Sequence, residues 1–539
     1  MSGGDSEAAT PVPMPNTEVK RFSAESSWGS PPVRIGRCQA NAETIKQMLG
    51  RLFFVYQSFK GRSIFYMTRQ PKKNPFTFME VLEQHVREGR VSFHVPGHHN
   101  GTVRHSSLPT PFAKIMPYDL TELEHLDDLH QAEGIIHQAE DALGALYESK
   151  SKWLVNGSTA GNWSMLATTV KRGERVYVQR NSHKSVWNAI EWLGLEAVLL
   201  TPEIERGSGL PTVVSLATVQ EAVSRYPDGK ALLLTSPTYY GDMADVRAIS
   251  QFLNTFSIPL LVDEAHGAHL IYSDLPKRSA IFEGASMVAQ SAHKTLPAFT
   301  MGAWLHYKEN IDEKRLFHAL SSFQTSSPSY LIMGSLDHAR MYLESLTERD
   351  WSHIQTSHFA FVMELRRAGF SVKVGDDFTK VTILTYPKNG IAFSRHLSSI
   401  GIDIELAAED HVLLCLPLRE VKMEEIEHWV KLIKNASQHV PLIEDDETIY
   451  PFPVTERVSQ LHTLSDEMKT TRLSFEQAVG NIAAETVIPY PPGIPWILKG
   501  EVITDEKVRV LIEWISLGRK LQASRHVMMK QIDVIVEEF

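Results

Sequence analysis

The chain has 539 residues, 43% hydrophobic and 22% charged, an ordinary globular composition with room for about three domains. Its 54 Lys and Arg against 64 Asp and Glu leave a net charge of −10 with no long basic block, so electrostatic capture by nucleic acid or an anionic membrane is excluded and small metabolites are the expected partners. The two cysteines, Cys38 and Cys415, lie far apart without CxxC or Cys/His spacing, which argues against a disulfide framework or structural zinc and fits a reducing, cytoplasmic compartment.

Residues 1–66 are expected to be a disordered extension. The first 40 are rich in Ser, Pro, Gly and Glu and contain no apolar targeting core, Leu52–Tyr56 is too short to span a bilayer, and Met67 offers an alternative start for the folded protein. A helix is predicted over Thr77–Val86 with Thr77 as its cap, in a helical and loop segment spanning 67–150. Next comes Val91–Gly101, whose His94, His98 and His99 lack regular metal-ligand spacing and read as a loop of imidazoles bonded to backbone. Asp119–Glu122 and Leu126–His130 concentrate carboxylates ahead of a helix predicted over Glu133–Tyr147. They suit either a solvated loop or a pocket for a substrate with a distal positive charge.

From Lys152 the pattern repeats strand, turn and helix. Trp153–Asn156 leads into Gly157–Asn162, where a glycine and two hydroxyls at a helix start suit either a simple cap or a phosphate cradle. Strands follow over Arg175–Gln179, Ala197–Leu200, Ala231–Thr235, Pro259–Asp263 and Met287–Gln290, separated by crossover helices. His183, Ser236, Thr238, Asp263 and Lys294 all fall at strand C-terminal ends, the edge where open α/β sheets bind ligands. Asp263 closes an apolar run, and a buried carboxylate there needs a cationic partner. Lys294, just past such a run in Ser291–Thr295, reads alone as a surface residue; with that aspartate and a phosphate cradle beside it, it becomes a candidate Schiff-base nucleophile.

After this large domain, placed at 151–345, a helix over Trp351–Ala368 opens a smaller α+β domain at 346–450, with strands expected over 370–374, 381–385, 402–405 and 411–417. An acidic, Pro-punctuated linker over Leu442–Pro453 leads to a C-terminal domain at 451–539, with a helix over Ser474–Asn481 and the rigid Glu485–Pro495 turn.

Eight blocks in order, PGHHNG at 96–101, DDLH at 127–130, NGSTAGN at 156–162, RNSHKS at 180–185, VDEAHGAH at 262–269, SAHKT at 291–295, QTSSPSY at 324–330 and YPPGIP at 490–495, resemble the Orn/Lys/Arg decarboxylase family in its short bacterial branch. The resemblance implies an α/β fold of the fold type I pyridoxal phosphate-dependent class, with a mostly parallel doubly wound sheet and a smaller C-terminal α+β domain. It also implies a soluble homodimer with shared active sites that decarboxylates arginine, lysine or ornithine to a polyamine precursor or diamine. By that resemblance Lys294 carries the cofactor, pyridoxal 5'-phosphate, Asp263 pairs with its ring nitrogen, and His183 stacks on its face. Ser158, Thr159, Ser291 and His293 bind the phosphate with Ala160 alongside, and Ala265 and His266 lie near the ring. Thr325, Ser326 and Ser327 come from the neighbouring subunit, while Glu485 and, second, Asp128 hold the substrate's distal cation. No metal is implied. His99 stands where the family turn carries a lysine. Two rival readings share Lys294 and Asp263: an aminotransferase or lyase of the same fold, which would bind the α-carboxylate through an arginine such as Arg395 or Arg419, and a cofactor-binding regulatory homologue without turnover.

Overall fold

The central strands of the large sheet are apolar at nearly every position because both faces of the sheet are covered: on Ala231–Thr235, Leu232 and Leu234 enter one core cluster and Leu233 the other. The computed structural model describes residues 77–272, 278–442, 456–462, 468–490 and 493–536, all within the unit Pro71–Phe539. The expectations for residues 1–66, and most of the linker over 442–453, fall outside the described residues.

The large sheet is built from β1 (Lys150–Leu154), β2 (Arg175–Gln179), β3 (Glu196–Leu200), β4 (Ala231–Thr235), β5 (Leu260–Asp263), β6 (Met287–Gln290) and β7 (Ala303–Tyr307) in the order β1-β7-β6-β5-β4-β2-β3. The pairs from β3 through β6 are parallel, whereas β7 runs antiparallel to both β6 and β1. Helices cover the faces, and parallel strands joined by crossover helices carry their C-terminal ends to one edge. A mostly parallel α/β sheet of the expected class is therefore present, with β7 as a buried strand that no sequence boundary marked.

The smaller sheet is antiparallel throughout, β10-β11-β9-β8, from β8 (Ser371–Val374), β9 (Lys380–Leu384), β10 (Leu406–Ala407) and β11 (His411–Cys415). The expected strand at 402–405 is displaced: the ladder begins only at Leu406, and Glu405 bends the chain into it, with its N–H on Leu413 O at 3.1 Å. The expected helix Ser474–Asn481 is a single turn, Phe475–Ala478, because Val479 takes an extended conformation. β12 (Val458–Gln460) adds to the free edge of β3. Further along, Arg180, 4% exposed, donates to both oxygens of Glu501 at 2.9 and 2.8 Å and to the carbonyls of Pro495 and Trp496. That latch ties the C-terminal segment to the turn that follows β2.

Among the described residues, no helix is long and apolar enough to cross a membrane. In the Val91–Gly101 loop, His94 Nδ1 meets Val95 O at 2.8 Å, His99 Nδ1 meets Ser92 O at 3.1 Å and His98 Nε2 meets Asp119 at 3.3 Å. These imidazoles hold the loop together.

Candidate active site

A cavity of about 320 Å3 opens where the C-terminal ends of β2, β4, β5 and β6 meet the small sheet. The helix Gly157–Thr169 reaches it because Gly161 lies flat against β6: a Cβ there would sit 2.8 Å from Ala289 Cβ and 3.0 Å from Leu154 Cδ1. Close packing of this kind points the helix N-terminus, with its positive dipole end, into the cavity. Asn156 provides no side-chain cap, its amide oxygen accepting from Thr325 N at 3.4 Å instead, and a Cβ on Gly157, at φ +73°, would meet open space. Ser158 and Ser291 meet through their hydroxyls at 2.7 Å at the same end. An uncapped helix start, two hydroxyls and free volume are what a phosphate requires.

Asp263 ends β5 and is 2% exposed. Asn162 Nδ2 donates to its Oδ2 at 2.8 Å and the Ala265 N–H to its Oδ1 at 3.2 Å. Burial pushes its carboxyl up, and the Lys294 ammonium and these two donors pull against that rise. Lys294 is exposed to the cavity, and the protein crowded around its amine, with the Lys380 charge beside it, lowers that amine below the ordinary lysine range against the opposing pull of Asp263. A lowered amine pKa favours the neutral, nucleophilic form.

Between the two lysines of the site stands one imidazole. His266 Nε2 lies 3.1 Å from Lys294 Nζ and its Nδ1 3.0 Å from Lys380 Nζ, which in turn donates to Cys415 Sγ at 2.9 Å. Burial first, then the two amines, push His266 well below the ordinary histidine range, so it is neutral. His183 caps the helix Lys184–Leu193 through Nδ1, which accepts from Ser185 N at 3.2 Å, and burial and the Lys294 charge lower it to about 4. Its ring edge is crowded by Gly493, where a Cβ would come within 3.2 Å, and Lys184 N donates to Gly493 O at 2.9 Å.

Of the residues singled out from sequence, Ser158, Thr159, His183, Asp263, Ala265, His266, Ser291, His293 and Lys294 line this one cavity, with Ala160 packed one residue behind. Thr325, Ser326 and Ser327 do not; they are exposed, with Thr325 O accepting from His130 Nε2 at 2.8 Å. Asp128 also stands outside the lining, its Oδ1 capping the short turn at His130 N at 2.8 Å. Glu485 is outside too, engaged by His526 Nε2 at 2.6 Å and Asp533 N at 2.9 Å. Unanticipated lining residues include Gln179, Asn181, Tyr239, Tyr240, Glu405 and Tyr490. The Tyr239–Tyr240 pair sits in the Ser236–Asp242 loop already placed at this edge, whereas Glu405 carries no sequence signal.

Known proteins share this arrangement of chain. The family model described as the Orn/Lys/Arg decarboxylase major domain matches residues 75–368, and its C-terminal domain model matches 456–524. The uncharacterized protein YaaO of Bacillus subtilis is 39% identical over 85% of this chain and 98% of its own length. An arginine decarboxylase of the same organism is 28% identical over 85% of this chain and 97% of its own. Among solved structures, lysine decarboxylase A from Pseudomonas aeruginosa superposes with a TM-score of 0.69 at 19% identity, over 92% of this chain and 83% of that one, a likeness of fold.

Proposed function

This chain belongs to the Orn/Lys/Arg decarboxylase family, and from that premise we propose that it removes the α-carboxylate of arginine, lysine or ornithine, releasing CO2 and a polyamine precursor or diamine, with pyridoxal 5'-phosphate as cofactor. The observation that carries this reading is the convergence of Lys294, Asp263, His183 and an uncapped helix N-terminus on one cavity. When bound, the cofactor supplies the electron sink for the pair left as the carbon–carbon bond breaks.

The remaining work belongs to the chain. Lys294 offers an amine of lowered pKa as the attachment point and afterwards a group able to carry a proton. Asp263, fixed by Asn162 and the Ala265 N–H, presents a carboxylate that would hold a proton on the ring nitrogen. His183 would lie against the ring face, held by Ser185 and wedged by Gly493. Ser158, Thr159, Ser291 and His293 surround the position for the phosphate, with Ala160 packed alongside. Ala265 and His266 flank the ring position, and neutral His266 would accept a hydrogen bond from either lysine amine. The exposed Thr325–Ser327 turn is available to a second copy, which supports a homodimer with shared sites, and the reading is of a cytoplasmic enzyme.

Neither Arg395 nor Arg419 lines the cavity, and Arg419 is engaged by Glu425 at 2.8 Å, so the clamp an aminotransferase would use for the α-carboxylate is missing among the described lining residues. The test is product identification from cofactor-loaded protein given each basic amino acid. Amine plus CO2 supports the reading; a 2-oxo acid contradicts it.

A further inference from the structure

The family resemblance offers two acids, Glu485 and Asp128, for the substrate's distal cation, and neither lines the cavity: Asp128 caps a turn, and Glu485 Oε1 is held by His526 and the Asp533 N–H. The cavity itself is lined by two carboxylates, Asp263 and Glu405. Asp263 lies at the end of β5 and is fully buried, with a hydrogen bond on each oxygen. Glu405 enters from the small sheet, its backbone pinned to Leu413 at 3.1 Å, and its side chain opens onto the cavity. Tyr239 donates its hydroxyl to Glu405 Oε1; among the described residues Glu405 makes no direct ion pair, and the cation its charge acts on is Lys294.

The rest of that end of the cavity is shaped for a cation. Tyr239 and Tyr240 stand together with ring centroids 6.5 Å apart, and Tyr239 also packs edge-on to His266 at 4.9 Å. Tyr240 is itself fixed by His411 Nε2 at 3.1 Å. A carboxylate with an open oxygen beside two anchored aromatic rings provides charge pairing and ring-face attraction together. Lys294, bonded to His266, marks the reacting end, and His266 in turn packs against Tyr239, so the two ends adjoin within one cavity.

Resting on the decarboxylase reading, we propose that Glu405, oriented by Tyr239, binds the distal ammonium or guanidinium of the substrate and so selects amino acids that end in a cation. Glu405 makes no hydrogen bond to Asp263, Lys294 or the helix start at Gly157, though its charge acts on Lys294, so it is not among the groups that would hold the cofactor directly. A neutral amide in its place leaves the shape and removes the charge.

The experiment uses full-length, cofactor-loaded wild type, Glu405→Gln and Tyr239→Phe with arginine, lysine and ornithine, and with citrulline and norleucine as uncharged counterparts. Losing a charge-assisted contact to a bound cation should raise KM for the preferred basic substrate about 10- to 100-fold in Glu405→Gln, with the discrimination against the uncharged counterpart falling by a similar factor. Tyr239→Phe, which keeps the charge, should lose about 3- to 10-fold. Both variants should still take up cofactor to the wild-type occupancy, which separates a specificity role from damage to the fold. Unchanged KM and discrimination in Glu405→Gln, with the wild type active, overturns this inference and leaves the decarboxylase reading standing. A cofactor-loaded wild type that turns over none of the three basic amino acids overturns both. Should Glu405→Gln fail to hold cofactor, Tyr239→Phe decides, since loss of neither KM nor discrimination there overturns the proposed orientation of Glu405.

Discussion

Replacing Glu501 by Gln tests how firmly the C-terminal segment is latched to the cavity wall. Its carboxylate receives Arg180 at 2.9 and 2.8 Å, Lys507 at 2.8 Å and the Leu498 N–H at 3.1 Å. Against the cost of burial, the charges of Arg180 and Lys507 hold it down from 4.5 to about 2. A fall of that size corresponds to about 3 kcal/mol, within the range of about 3–5 kcal/mol for breaking a buried pair and leaving its cations unpaired. Hydrogen exchange read by mass spectrometry over peptides from 475–535 should therefore show local opening about 100-fold more populated in the variant at pH 7. Because the folded pKa lies below the unfolded one, the wild-type advantage is complete above pH 4.5 and is lost as pH falls through that value toward 2. Below pH 4.5 the gap should narrow by about 1.4 kcal/mol per pH unit. No gap at pH 7, or one that persists undiminished to about pH 3, would refute the assignment. The same latch carries Gly493 and Tyr490 toward the cavity, so turnover should fall with it.

Gly161→Ala forces a methyl to within 2.8 Å of Ala289 and should cost about 1–3 kcal/mol by overpacking, seen as a lower denaturation midpoint; an unchanged midpoint would mean the helix can retreat from β6. Asn162→Ala strips the donor from Asp263 Oδ2 and should lower kcat more than it raises KM, whereas an effect on KM alone would deny Asn162 a part in positioning the aspartate. Gly493→Ala combines a φ of +87° with a Cβ 3.2 Å from the His183 ring, so activity should drop while circular dichroism stays native; wild-type turnover would show that His183 tolerates the displacement. Burial holds His306 at about 3 and His358 at about 4, below the ordinary 6.5, so the unfolded chain takes up their protons first and stability should decline as pH falls from 6.5 toward 4. His358→Gln should flatten that decline in urea titrations, and an identical pH slope would exclude His358 as a contributor.

Most of the large sheet is legible in the sequence because each parallel strand is buried on both faces and is bounded by a turn: β2 and β4 match their expected limits, and Thr77 caps its helix while its own N–H donates in return to the Glu80 carboxylate. The site's inner half is legible for the same reason, since strand ends gather their residues at one edge. What escapes is tertiary. The 402–405 segment has strand composition, but the ladder partners of β11 start at Leu406, a choice made by register. Glu405 and Lys380 reach the cavity region from the small sheet, far along the chain from Lys294, and no local spacing encodes that approach. The partners of Glu485 come from the strand Gln531–Ile535 and the turn before it, where no motif marks them in the sequence.

The most direct test of the central claim compares wild type with Lys294→Ala, both incubated with pyridoxal 5'-phosphate and each of arginine, lysine and ornithine, measuring CO2 and identifying the product by mass spectrometry. Wild type should give amine and CO2 from at least one substrate, and the variant should lose both turnover and lysine-bound cofactor absorbance. A 2-oxo acid product, or a Lys294→Ala protein that still releases CO2 at the wild-type rate, would contradict it.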